Sequence, residues 1–199
     1  MVGLKEPQLL SSLLPRQTRR LTLRRFSATD FEAYAAFHAR PDVYRFLYRD
    51  PPDEEEMREQ FEEAVVSRVV KEEDSFHFAV ERQADGKLIG EVLLKLASEE
   101  ALQAELGYVI NPAFAGQGYG REAAAGVVDL GFRHLGLHRI FARLDTRNSS
   151  SANLLEQLGF RREAHLIENE RFKGVWRDEY VYALLAREWL SRFSTDSSA

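Results

Sequence analysis

Three glycines at alternate positions, Gly116, Gly118 and Gly120, separate a strand-like run from a helix-like run. This arrangement limits the fold more than any other feature of the chain. Glu105-Leu106-Gly107-Tyr108-Val109-Ile110 reads as a strand that Asn111-Pro112 stops, and a helix begins near Arg121. Glycine takes backbone angles closed to other residues and lets a ligand approach the main chain. Successive N–H groups in such a turn, with the unpaired N–H groups of the following helix, suit a phosphate or diphosphate. A flexible loop would carry the same glycines, so the reading needs a second signal.

The common phosphate motifs are excluded. A dinucleotide fingerprint needs its third glycine where Arg121 stands, and no Gly-Lys-Ser/Thr run of a P-loop occurs. Hydride and phosphoryl transfer lose ground accordingly. A nucleotide-phosphate binder unrelated to either would rest on the loop alone.

The second signal lies downstream. A strand-like run over 139–144 leads into Asn148-Ser149-Ser150-Ser151-Ala152-Asn153-Leu154-Leu155-Glu156-Gln157-Leu158-Gly159-Phe160. With the glycine loop, this segment resembles the GNAT superfamily of acetyl-CoA-dependent N-acetyltransferases, in particular the RimJ/RimL branch that acetylates N-termini of ribosomal proteins. The resemblance spans residues 18–190 and includes Thr18-Arg19-Arg20-Leu21-Thr22-Leu23-Arg24, Leu88-Ile89-Gly90 and Trp176-Arg177-Asp178-Glu179-Tyr180. It implies an acyl-CoA N-acyltransferase fold, a mixed and mostly antiparallel twisted sheet flanked by helices, with acetyl-CoA as cosubstrate.

Patterning agrees with an α/β domain of that kind. Strands are expected over 20–26, 75–82, 87–96, 103–110, 138–144, 160–168 and 179–185, with turns at Ala84-Asp85-Gly86 and Lys173-Gly174. Asp30 is the expected cap of a helix through Phe31, Tyr34 and Phe37, and Pro51-Pro52 opens another with Asp53 to Glu56 at its positive end. Ala124, Val127, Val128, Gly131 and Leu135 share one face of the helix after the loop. A short helix over 151–158 ends at Gly159. The expected organisation is an N-terminal arm or leader strand (1–17), one domain (18–190) and a disordered serine-rich tail (191–199).

Composition narrows the chemistry. With 199 residues and 44% hydrophobic content the chain can bury one core. It has no cysteine, which removes disulfides, thiolate metal sites and a cysteine nucleophile. The formal charge of −5 disfavours nucleic acid and is compatible with a cationic amine. No apolar run approaches the ~20 residues that cross a bilayer; a cytoplasmic enzyme without a membrane or nucleic-acid partner is expected. His134 and His138 stand four apart, but Gly136 between them breaks their common face, so no metal is assigned.

Acetyl transfer needs a neutral amine. An α-amino group with pKa near ~7.7–8.0 is partly neutral around neutral pH, whereas a lysine near ~10.4 is almost wholly protonated. An α-amine therefore needs little help from a base. Glu105, on the strand before the loop, is the candidate base, with Asp145 in reserve. By resemblance, Ser151 lies near the cofactor sulfur and would assist the departing thiolate, although a serine there also suits a helix cap. Asn148 would bond the pantetheine or fix the turn. Backbone N–H groups at Tyr108, Val109 and Ile110 would pair with the pantetheine and polarise the thioester. Ala115, Gly116, Gln117, Gly118, Tyr119, Gly120 and Arg121 would hold the diphosphate. Arg45, Tyr48, Phe172 and Trp176 are the acceptor-side candidates.

Two departures from the family stand out. Ala115 occupies a position where many members carry Arg or Gln, so backbone groups must carry the diphosphate. Leu155 replaces the tyrosine that protonates the thiolate in some relatives. These leave room for a catalytically silent acyl-CoA-binding domain. Among enzymes, protein N-terminal α-amines rank above small amines such as polyamines or aminoglycosides, and the family allows a homodimer.

Overall fold

The computed structural model describes residues 12–67 and 71–193. The first eleven residues of the expected arm and the last six of the expected tail lie outside this range. Eight strands form one sheet in the order β1-β2-β3-β4-β5-β6-β8-β7. They are β1 (Arg16–Gln17), β2 (Leu21–Arg24), β3 (Ser75–Arg82), β4 (Lys87–Ser98), β5 (Gln103–Ile110), β6 (Arg139–Asp145), β7 (Arg161–Phe172) and β8 (Val175–Leu185). The end of the arm is thus a leader strand. The final hairpin is longer than its sequence suggests, because Glu168 takes a left-handed φ of 51° at an irregularity that β7 carries without ending.

Strand alternation sends neighbouring side chains to opposite faces, each with its own core. Phe78 and Val80 face α3 (Tyr119–Leu130) and α4 (Ser149–Leu158), while Ala79 faces α1 (Phe31–His38) and α2 (Glu54–Val66). On α3 the predicted stripe is fully buried: Ala124, Val127 and Val128 have no exposed surface. Each such valine contributes at most about 1.5–3 kcal/mol. Gly136, with φ 72°, ends the turn of π-helix that follows α3.

Asp53 caps α2, accepting from the N–H groups of Glu55 and Glu56. Asp30 does not cap α1. Its carboxylate instead accepts from the Ser27 N–H at 2.8 Å and from Arg24 at 2.7 and 2.8 Å, because a 3₁₀ turn over 28–30 moves the true start back to Ser27.

The sheet is antiparallel everywhere except between β5 and β6. That parallel ladder holds only Gln103↔Arg139, Ala104↔Ile140 and Glu105↔Phe141. β5 stays paired with β4 as far as Gly90↔Ile110. Residues 106–110 therefore have a strand neighbour on one side and a wedge-shaped gap on the other.

Candidate active site

The gap opens into a cleft of about 880 Å³ bounded by the end of β5, the glycine loop, the first turn of α3, the start of α4 and the segment 42–47. On β5 the Asn111 N–H donates to the Ile89 carbonyl at 2.8 Å. Backbone donors alternate sides along a strand, so Val109 faces β4 while the Tyr108 and Ile110 N–H groups face the gap. An extended ligand laid there meets donors as a further strand would.

Asn111 stops β5 by accepting the Ala113 N–H at 3.0 Å, closing a 3₁₀ turn over Pro112–Phe114. Gly116 and Gly118 then take φ of 73° and 79°, which favour glycine. Gly118 is the N-cap of α3 and offers no side chain to its first N–H groups. Gly120 serves closeness instead: a Cβ there would lie 3.2 Å from Leu154 and 3.3 Å from Ile110. The result is an uncapped helix start aimed at an open cleft, a fit for a diphosphate.

Asn148 caps α4, its Oδ1 accepting the Ser151 N–H at 3.1 Å. The alternative of a serine cap is not realised: the three serines lie within the first turn, and Ser150 and Ser151 line the cleft. The Tyr108 hydroxyl donates to the Ser151 carbonyl at 3.4 Å. Burial pushes this phenol up to about 12, against a smaller opposing contribution from Ser151, so it is a neutral donor at the cleft wall. Leu155 is buried in the core and presents nothing to the cleft.

The segment 42–50 arches over the cleft and is fastened at both ends. On one side the Tyr44 hydroxyl meets His38 Nδ1 at 2.8 Å, His38 Nε2 lies 3.2 Å from Glu91 Oε1, and His77 Nδ1 lies 3.2 Å from Glu91 Oε2. Glu91 is buried on β4; burial alone would raise its pKa, but His38 and His77 outweigh this and hold it at about 2. On the other side the Tyr48 hydroxyl donates to the Asp178 carbonyl at 3.2 Å, and Lys173 pairs with Asp50 at 2.5 Å.

Carboxylates gather on the sheet face beyond the parting strands. Arg143 donates to both oxygens of Glu105, and Arg147 pairs with Asp145. Glu179 is buried without an arginine in contact and accepts from the Asn169 amide at 3.1 Å. Burial raises its pKa, and the charges of Glu170 and Glu105 add to this against Arg143.

The sequence-derived residues divide accordingly. Tyr108, Val109, Ile110, Ala115, Gly116, Gly118, Tyr119, Gly120, Arg121, Asn148, Ser151 and Arg45 line the cleft. Gln117 turns its carbonyl to Arg20. Glu105 stands outside the lining. Tyr48 is tied to β8, Phe172 ends β7 beneath Lys173, and Trp176 is 53% exposed on the outer hairpin. Asp145 accepts the Arg147 N–H in the turn after β6. His134 and His138 form no metal cluster among the described residues. The fastening of the arch by Tyr44, His38 and Glu91 escaped the sequence reading, since a histidine in an apolar helix carries no signal of its partner.

A model of the acetyltransferase (GNAT) domain matches residues 20–161. The chain belongs to the GNAT acetyltransferase family. This GNAT chain is 30% identical over 173 residues to the uncharacterized N-acetyltransferase YnaD of Bacillus subtilis, covering 86% of the chain and 97% of the relative. It is 26% identical over 173 residues to a spermidine N(1)-acetyltransferase of Vibrio cholerae, covering 86% and 96%. The crystal structure of a GNAT-family acetyltransferase from Bacillus anthracis superposes with a TM-score of 0.78 at 29% identity, covering 86% of this chain and 98% of that one. The mixed eight-stranded sheet is the GNAT fold, and the activity is acetyl transfer. GNAT acetyltransferases use acetyl-CoA, and the gap and the uncapped loop fit its pantetheine and diphosphate.

Proposed function

We propose that this enzyme acetylates the α-amine of a protein N-terminus, as in the RimJ/RimL-like branch, in a ternary complex with acetyl-CoA. The observation that carries this reading is the balance of charge on the acceptor face. Of the four carboxylates gathered there, Glu105 and Asp145 are paired directly with Arg143 and Arg147, Glu170 stands opposite Arg177 on the neighbouring strand, and the buried Glu179 alone has no arginine beside it. A polyamine carries several cations and is best served by unpaired carboxylates, whereas a peptide N-terminus brings one amine. Exposed Leu47, Leu166, Ile167 and Trp176 lie on the arch and the outer hairpin and suit the side chains of a peptide.

Acetyl-CoA would supply the thioester: the neutral amine would attack its carbonyl carbon, the carbon–sulfur bond would break, and CoA would leave as the thiol once its sulfur is protonated. The Tyr108 and Ile110 N–H groups hold the pantetheine in the gap and donate toward the thioester oxygen. Glu105, released from Arg143, takes the amine's proton directly or through water. Ser151, with the Tyr108 phenol beside it, donates toward the sulfur. Segment 42–50 limits water over these groups.

A second reading, a polyamine acceptor, draws support from the named activity of the Vibrio cholerae relative. Thiol release from acetyl-CoA decides between them, measured with peptides bearing free or blocked N-termini, lysine, spermidine and aminoglycosides. Release with free-N-terminus peptides and none with blocked ones is the expected result. Release with spermidine alone replaces the proposal with the second reading. CoA binding without turnover on the whole panel favours a silent binding domain.

A further inference from the structure

Arg20, which precedes β2, reaches across the sheet to the glycine loop. Its NH1 donates to the Gln117 carbonyl at 3.0 Å and its guanidinium lies 4.4 Å from the centre of the Tyr119 ring. NH2 lies 3.5 Å from the point that a Cβ on Gly118 would occupy. The same side chain pairs with Glu122 in the first turn of α3, Nε to Oε2 at 2.7 Å, and the Arg20 N–H reaches Oε1 at 2.7 Å. The Thr18 hydroxyl adds a third donor to that carboxylate at 2.6 Å. Burial would raise the pKa of Glu122, but these donors lower it, so it is charged at neutral pH.

A charged carboxylate in this turn suits the helix dipole but opposes a diphosphate bound a few residues away. The loop's own arginine, Arg121, lines the cleft and is oriented by its NH1 donating to Gln157 on α4 at 2.6 Å rather than by a contact with Glu122. Arg82 faces the Phe114 ring and pairs with Asp85. We infer that Arg20 is a positioning residue of the diphosphate loop: it fixes the Gln117–Tyr119 turn and neutralises Glu122 beneath it, so that a diphosphate-bearing ligand meets donors without an opposing charge. The inference rests on the acetyl-CoA reading above. Arg20 is not part of the cleft lining and acts through the loop.

The test uses the full chain and direct calorimetric binding of CoA and dephospho-CoA, with pantetheine measured as a competitor of CoA. Arg20→Gln is expected to raise the Kd for CoA and dephospho-CoA alike by about five- to twentyfold, the scale of one charge-assisted contact. Pantetheine, which has no diphosphate, is expected to compete as it does in the wild type. Adding Glu122→Gln to Arg20→Gln is expected to recover part of the loss, because the exposed charge is gone. Arg20→Lys keeps the charge without the fork and is expected to fall between wild type and Arg20→Gln; it serves alone if the glutamine variant does not fold. The backbone of 18–21 is held independently by Gln83 Nε2 on the Thr18 and Leu21 carbonyls. Unchanged CoA affinity in both Arg20 variants overturns the inference, as does an equal loss for pantetheine or no recovery in the double variant. A wild-type protein that binds no CoA overturns the acetyl-CoA reading itself, a separate result.

Discussion

Arg143 on β6 holds both carboxylate oxygens of Glu105 on β5, at 3.1 and 3.2 Å, beside the last rung before the two strands part. The pair ties the strands at the apex of the gap. Arg143 is about half exposed, so solvent screens the attraction and its stability contribution stays near the about 0–1 kcal/mol of surface pairs. An ion pair of that strength opens readily, which leaves Glu105 available as a proton acceptor. Glu105→Gln is therefore expected to lower kcat by about a hundredfold, the low end for a general base, while calorimetric CoA affinity stays at the wild-type value. A kcat–pH profile identical to that of the wild type retires Glu105 as the base.

Ser151 and Tyr108 line the cleft wall from different elements, the Tyr108 hydroxyl donating to the main-chain carbonyl of Ser151. The phenol, pushed up to about 12 by burial, stays protonated through the alkaline range, so it sustains donation where a histidine would fail. Ser151→Ala and Tyr108→Phe are each expected to lower kcat by about three- to thirtyfold, with the double variant less than additive because the groups serve one step. Unaltered kcat in Ser151→Ala removes the serine from the leaving-group step, and a fully additive double variant separates the two roles.

The parts of this architecture legible in the sequence are those written locally. The glycine spacing located the loop that borders the cleft, the Asp85-Gly86 pair its hairpin, and the apolar period of α3 its buried face. The parting of β5 from β6 is a relation between strands separated by a whole helix, and no local pattern encodes it. Residue type also misled where two roles compete. Asn148 and Ser151 are both good caps, and only the three-dimensional turn assigns the cap to Asn148. Trp176 stands exposed on the outer hairpin, a placement that its aromatic type alone does not give. The partners of Arg20, Glu91 and Glu105 lie on distant elements, so no local pattern pairs Glu122 with Arg20, His38 and His77 with Glu91, or Arg143 with the candidate base Glu105.

Glu91 ties acid stability to the arch over the cleft. Its carboxyl is held at about 2 in the folded chain, below the ordinary range. A depressed carboxyl contributes stability that is present above its unfolded pKa and lost as pH falls toward the folded one. The contribution, on the order of 1–3 kcal/mol for such a coupled group, is thus expected to disappear between about pH 4.5 and about pH 2. Urea unfolding of wild type and Glu91→Gln across that window is expected to show the wild-type advantage shrinking with acid. A constant difference assigns the cost of the substitution to packing alone.

Glu179 has the opposite sign. Its pKa is raised in the folded state, first by burial and then by Glu170 and Glu105. A raised carboxyl favours folding below its unfolded pKa and costs stability as pH rises through the folded value. Ionisation of this side chain is therefore a liability to the fold, because it is 5% exposed and faces like charges. A glutamine accepts the same Asn169 hydrogen bond without the charge. Glu179→Gln is expected to raise Tm by a few degrees at pH 7, on the scale of about 1 kcal/mol, and to match the wild type near pH 4. A variant less stable than the wild type at pH 7 would mean that Arg143 compensates the buried charge more fully than burial and like charges oppose it.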